Sequence, residues 1–171
     1  MIIVNIVDTK LTPLELALVC EECMLQEDAT PQALKGLAKA LVLTKISAST
    51  WGDEPVDGHM LEELIYCLGQ IVKPENKTGW RVMPVSFSSL ELATDPQSIP
   101  RAMRSYCEAF VEMRFDSPDL AYYHFEMIHP FKDGNGRVGW LMWLLYSFIT
   151  TGDWPEALAP NFFNLRREFI S

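Results

Sequence analysis

The stretch from Val138 to Ile149 is apolar on nearly every face of a helix, and no other part of the chain constrains the fold as strongly. A helix with no polar side belongs in the interior, wrapped by other elements. Its greasiest part, Trp140 to Ile149, is interrupted only by Ser147 and is far too short to span a bilayer. At 171 residues the chain can build a substantial core around that helix within a single domain. A central buried helix is therefore predicted, and the remaining sequence must supply its jacket.

The jacket also reads as helical. Thr12-Pro13-Leu14-Glu15 combines an N-cap, a proline at the first helical position and a capping-box acid, predicting a helix to about Gln26. Thr30-Pro31 repeats the start signal for a helix towards Leu43, and Asp57 or Gly58 opens a third to about Val72. Trp80 to Phe87 changes character. It is β-prone, its Pro84 suits only an edge strand, and it predicts a short exposed hairpin or flap. Helical signals resume from Ile99 to Arg114. Ser117-Pro118-Asp119 caps a helix ending near Met127, and Pro160 to Phe169 reads as a last short helix. The expectation is one all-α domain, a helical bundle around a central buried helix with a small β-hairpin flap.

Directly before the apolar run stands His129-Pro130-Phe131-Lys132-Asp133-Gly134-Asn135-Gly136-Arg137. A histidine at a helix end can accept a proton from a hydroxyl near neutral pH. Phe131 would turn inward and anchor the loop in the core. Asp133 offers a hard oxygen ligand for Mg²⁺, which commonly bridges phosphate oxygens. Gly134, Asn135 and Gly136 let the backbone approach an anion at the start of the next helix, and Arg137 can grip phosphate oxygens bidentately. Together these parts suit phosphoryl or nucleotidyl transfer. The bland alternative, a capped helix-loop-helix turn with a surface arginine, does not need all of them within nine positions.

This stretch resembles the signature of the Fic family, H-P-F-x-D/E-G-N-G-R. Gly79-Trp80-Arg81 and Pro84-Val85 are similar to that family's target-binding flap, and Leu120 to His124 to the helix leading into the motif. The resemblance implies one Fic-like domain over residues 1–171, with N-terminal helices in 1–45 and the core in 46–171. It implies a cytoplasmic enzyme, or one delivered to a host cytoplasm, that moves AMP from ATP to a Ser, Thr or Tyr hydroxyl of a target protein. His129 would be the general base, Asp133 the Mg²⁺ ligand, and Gly134, Asn135, Gly136 and Arg137 the phosphate site. Trp80, Arg81, Val82 and Met83 would hold the target segment by strand addition.

The chain also departs from the family's pattern. Where adenylylating members carry a second arginine, this chain has Trp140. The inhibitory segment Ser/Thr-x-x-x-Glu-Gly/Asn has its nearest counterpart in Ser47 to Gly52, with Trp51 in the glutamate's place. A competing alignment uses Thr50 to Glu54 followed by Pro55. On the first alignment Trp51 and Trp140 form a degenerate inhibitory pair, joined by an apolar contact. An antitoxin-like inhibitor protein could then supply the missing inhibition. The loss of the arginine leaves the donor open to another nucleotide, or to γ-phosphate transfer as in the Doc branch, although Doc-like motifs usually have lysine where Gly136 stands. A non-catalytic nucleotide-binding module is the rival from a different class.

Charge narrows the partners. A formal net charge of -9 argues against wrapping nucleic acid, and nothing reads as a membrane segment. Met1 to Thr12 lacks the basic flank and apolar core of a signal peptide. Cys20 and Cys23 have CxxC spacing without a second pair or a histidine cluster to complete a zinc site, so the four cysteines read as packed thiols. Glu21 and Glu22 read as a solvated helix face.

Overall fold

The computed structural model describes residues 10–51, 53, 56–88 and 91–170. Among the described residues seven α-helices carry most of the structure: α1 (Pro13–Leu25), α2 (Pro31–Thr50), α3 (Gly58–Val72), α4 (Ile99–Val111), α5 (Pro118–Ile128), α6 (Asn135–Thr151) and α7 (Phe162–Ile170). Short 3-10 turns at Pro74–Thr78 and Pro96–Ser98 and a hairpin of β1 (Ser86–Ser88) with antiparallel β2 (Glu91–Leu92) complete it. The fold is all-α with a small hairpin, as the sequence predicts.

Local chemistry starts the helices. Thr12 and Thr30 accept from the backbone N–H three residues on, Glu15 returns a bond to Thr12 in a capping box, and Asp57 and Ser117 cap α3 and α5. α2 runs seven residues past the predicted Leu43. The hydroxyls of Ser47, Ser49 and Thr50 bond back to carbonyls three or four residues earlier, so this polar stretch is satisfied without leaving the helix. The expected division between residues 45 and 46 consequently falls inside one helix.

α6 is the central helix. Val138, Leu141, Met142, Leu145 and Tyr146 are fully buried, and α5, α2 and α3 pack around it. α1 is fastened to α2 by Glu15 and Lys45, whose buried charges meet at 2.7 Å. α7 packs on α5 and reaches the hairpin through an Arg166–Glu91 ion pair and a Phe87–Phe162 ring contact. No helix among the described residues is long and apolar enough to cross a membrane. The cysteines are free thiols, Cys23 and Cys107 buried and Cys20 and Cys67 exposed. Most of the segment Met1 to Thr12 lies outside the described residues.

The hairpin sits further along the chain than predicted. Pro84 has no N–H to donate, and ladder pairing begins only beyond it, with Ala93 donating to the Val85 carbonyl at 2.9 Å. Trp80 and Arg81 do not stand out in a flap. They form the packed base beneath it, while Val82 and Met83 are exposed.

Candidate active site

His129 ends α5 in the left-handed conformation, with φ 51° and ψ 60°. That region is costly for a residue with a side chain, so neighbours must hold it. Its N–H closes the helix onto the Phe125 carbonyl at 2.9 Å. Its carbonyl accepts from Arg81 Nε at 2.6 Å. The remaining guanidinium nitrogens donate to the carbonyls of Met83 at 2.7 Å, Thr94 at 2.5 Å and Ile128 at 3.2 Å. Arg81 thus satisfies the last carbonyls of α5, where a cation is favoured, and ties flap and motif together. This buried arginine is a clamp between flap and motif.

Phe131 is fully buried, and Trp80 packs on it at a ring-centroid distance of 5.2 Å. Gly69 of α3 makes room for the ring. A Cβ there would lie 2.3 Å from it, so only glycine admits this anchor. Asn135 has a job beside the expected backbone one. Its side chain accepts from the Phe131 N–H at 2.8 Å and donates to the Phe131 carbonyl at 2.9 Å, closing the loop on itself. Only its backbone is left to face an anion.

Gly134 is the N-cap of α6 with φ 81°, and no side chain caps this helix. Its first amides therefore lack an internal partner while the helix dipole favours negative charge. They open on a cavity of about 540 Å³ lined by His129, Lys132 to Gly136, Phe87, Tyr122 and residues 159–163. Two side chains that sequence reasoning placed elsewhere share this cavity. A Cβ on Gly136 would meet the Gln26 amide at 2.5 Å, and Gln26 donates to Glu22 at 3.1 Å. Glu22 is buried rather than solvated, one turn before Gln26, whose side chain abuts the start of α6 at Gly136.

Burial raises the Glu22 pKa to about 7, aided by the nearby Glu126 carboxylate and opposed by the bond from Gln26 and the charge of Arg137. The unfolded chain releases this proton near 4.5, so the folded state loses stability as pH rises from about 4.5 to 7. Glu22→Gln removes that cost. Thermal melts should show it unchanged near pH 4 and stabilised by roughly 2 kcal/mol, or about 4–8 °C, at pH 8. A stabilisation that does not grow with pH would count against a buried, ionising Glu22.

Arg137 is almost wholly buried and is already paired. Its Nη1 lies 3.1 Å from Asp28 Oδ2 and its Nη2 3.7 Å from Asp133 Oδ1. Lys73 bridges the same acids, 2.6 Å from Asp28 and 3.0 Å from Asp133. The bond from Lys73, with those from Thr30 and Arg137, holds the Asp28 pKa down to about 2 against desolvation. The motif arginine therefore faces an internal acid in this state. Asp28, Lys73, Glu22 and Gln26 carry no local sequence signal, because each reaches the motif only through packing.

Asp133 is half-exposed. Its Oδ1 accepts from the Gly134 N–H at 2.6 Å, and its Oδ2 holds Lys73. Mg²⁺ commonly uses one or two carboxylates with waters and substrate phosphates, so a single accessible aspartate at the cavity rim fits it. Among the described residues no cluster of three or more His, Cys, Asp or Glu forms a protein-only metal cage.

Trp51 and Trp140 do not make the expected pair. Trp51 meets Phe110 at 6.1 Å, and Trp140 is buried in the core with Nε1 donating to the Ala157 carbonyl at 3.0 Å. Among the described residues no ring contact joins the two. Gly52, Glu54 and Pro55, used in the two alignments of the inhibitory segment, lie outside the described residues. Trp140 is absent from the cavity lining and offers nothing to a phosphate.

Residues 88–147 match the family model described as Fic/DOC family. The match runs from the end of β1 into α6 and includes the whole stretch from His129 to Arg137.

Proposed function

From the Fic/DOC family domain at residues 88–147, we propose that this chain is a protein adenylyltransferase, moving AMP from ATP to a hydroxyl of a target protein. The supporting observation is the placing of His129 at the mouth of a cavity whose floor is the uncapped start of α6. Such a cavity can hold a base and a polyphosphate side by side. His129 accepts the proton of the target hydroxyl, whose oxygen attacks the α-phosphorus as pyrophosphate leaves. The backbone N–H groups at Gly136 and its neighbours bind phosphate oxygens. Asp133 would hold Mg²⁺, which supplies charge neutralisation on the phosphates. The exposed Val82 and Met83 and the hairpin edge are the surface for a target segment, and a separate inhibitor protein remains a proposed partner.

Two features bear on the donor. A phosphate at Gly136 requires the Gln26 side chain to turn away, and an ionised Glu22 opposes it. With Trp140 in the core, any γ-phosphate contact must come from another side chain, such as Lys132 at the rim. Incubating the chain with lysate proteins and ATP labelled at either the α or the γ phosphorus tests the reading. Label from α alone, dependent on His129, is expected. Label from γ alone would replace adenylyl transfer with kinase chemistry, and no label from any ribonucleotide would leave a binding module.

A further inference from the structure

Glu126 lies three residues before His129 on the same face of α5, and its carboxylate points at the catalytic ring. Oε2 is 3.7 Å from His129 Nδ1. Both groups are sheltered: the Glu126 side chain is 6 % exposed and the histidine side chain 23 %. Nδ1 and the second oxygen, Oε1, are buried without a hydrogen-bond partner among the described residues. A buried ring nitrogen without a partner is costly, and the nearest acceptor on offer is Oε2 of this sheltered carboxylate.

The surroundings hold the carboxylate there. Gly139 of α6 lies under it, and a Cβ at that position would be 2.6 Å from Oε1. Any larger residue would push the carboxylate away. On the other side of the imidazole, Phe87 presents a T-shaped ring contact at 5.5 Å. The backbone of His129 is held by Phe125 and Arg81, so ring rotation and tautomer are the freedoms left. The Glu126 charge is felt in turn at Glu22 of α1, Tyr106 of α4 and Tyr122 of α5.

We propose that Glu126 is a positioning residue for His129, accepting the Nδ1–H and thereby keeping Nε2 as the unprotonated nitrogen that faces the cavity. The two nitrogens are distinct, and the partner of one decides the chemistry of the other. Closing a 3.7 Å approach into a hydrogen bond needs less than an ångström of side-chain movement in the free chain, and a carboxylate at that range already favours the proton on Nδ1. This role rests on His129 being the base, as proposed above.

The tautomer of His129 can be read by nitrogen-15 NMR of the full chain, with no nucleotide or target present. The native chain is expected to carry the neutral-ring proton on Nδ1. Glu126→Gln keeps an oxygen acceptor and should retain that tautomer, whereas Glu126→Ala should move the proton to Nε2. In transfer assays kcat should fall by about 10–100-fold in Glu126→Ala and by less in Glu126→Gln, with KM for ATP unchanged in both. A native ring protonated on Nε2, or a tautomer indifferent to Glu126→Ala, would overturn the proposal. Should the alanine variant not fold, a glutamine variant protonated on Nε2 overturns it equally. The spectroscopic result stands whether or not transfer is observed, so failure of the transferase reading is separable from failure of this one.

Discussion

His129→Ala is expected to abolish label transfer while leaving the melting temperature within a few degrees of the native value. Loss of a positioned general base costs about 10²–10⁴-fold, which takes a slow protein-modifying reaction to background. The fold should tolerate the change because no hydrogen bond joins the ring to another of the described residues, and it packs on Phe87 and lies by Glu126. Alanine in the left-handed conformation is about as strained as histidine, and the backbone bonds to Phe125 and Arg81 survive. Parallel α-label counting and thermal melts check both halves. Transfer persisting within tenfold of native would remove His129 from the reaction.

Arg81→Met has the largest expected effect on the fold. The side chain's length and apolar stem are nearly kept, so the variant reads the guanidinium. Four carbonyls, those of His129, Ile128, Met83 and Thr94, lose a charged donor in a sheltered place. Charge-assisted bonds contribute about 1.5–3 kcal/mol each, and water can recover part of that. A net loss of roughly 3 kcal/mol, or about 6–12 °C in melting temperature, is expected. The Arg81 N–H bond to the Pro130 carbonyl at 2.9 Å remains, so the hairpin base loosens rather than detaches. Transfer should fall as well, since the same carbonyl sets the backbone of His129. Arg81→Lys should recover only part, because an ammonium cannot reproduce a planar fork reaching four acceptors. A change below about 1 kcal/mol in Arg81→Met would show that the clamp is dispensable.

How much of this was legible beforehand depends on the range of the physics. Helix starts at Thr12, Thr30, Asp57 and Ser117 are set by bonds spanning three residues, and the apolar surface of 138–149 demands a central position whatever surrounds it. The helical fold with its small hairpin and the family of residues 88–147 followed from such local patterns. The inward turn of Phe131 was also legible, but not the Gly69 notch that receives it. The hairpin was displaced because one proline moved the start of pairing, a choice that side-chain propensity does not resolve.

The charges were the least legible. Glu22 sits on a helix whose apolar and polar positions are poorly segregated, and only the packing of the end of α1 near Gly136 turns it inward. Asp28 meets Arg137 across 109 residues, and Lys73 joins them from the end of α3. Trp140 points to Ala157 rather than the phosphate site because a fully buried helix leaves each residue's facing to its neighbours. The sequence alone determined the helical class, the loop from His129 to Arg137 and the chemical kinds of side chain that loop presents. Tertiary structure alone decided their electrostatic state: the uncapped start of α6 beside Gln26 and Glu22, Arg137 held by Asp28, and Glu126 set against His129. Caps and apolar stripes act between residues a turn apart, whereas a buried charge takes its character from whatever packing brings beside it.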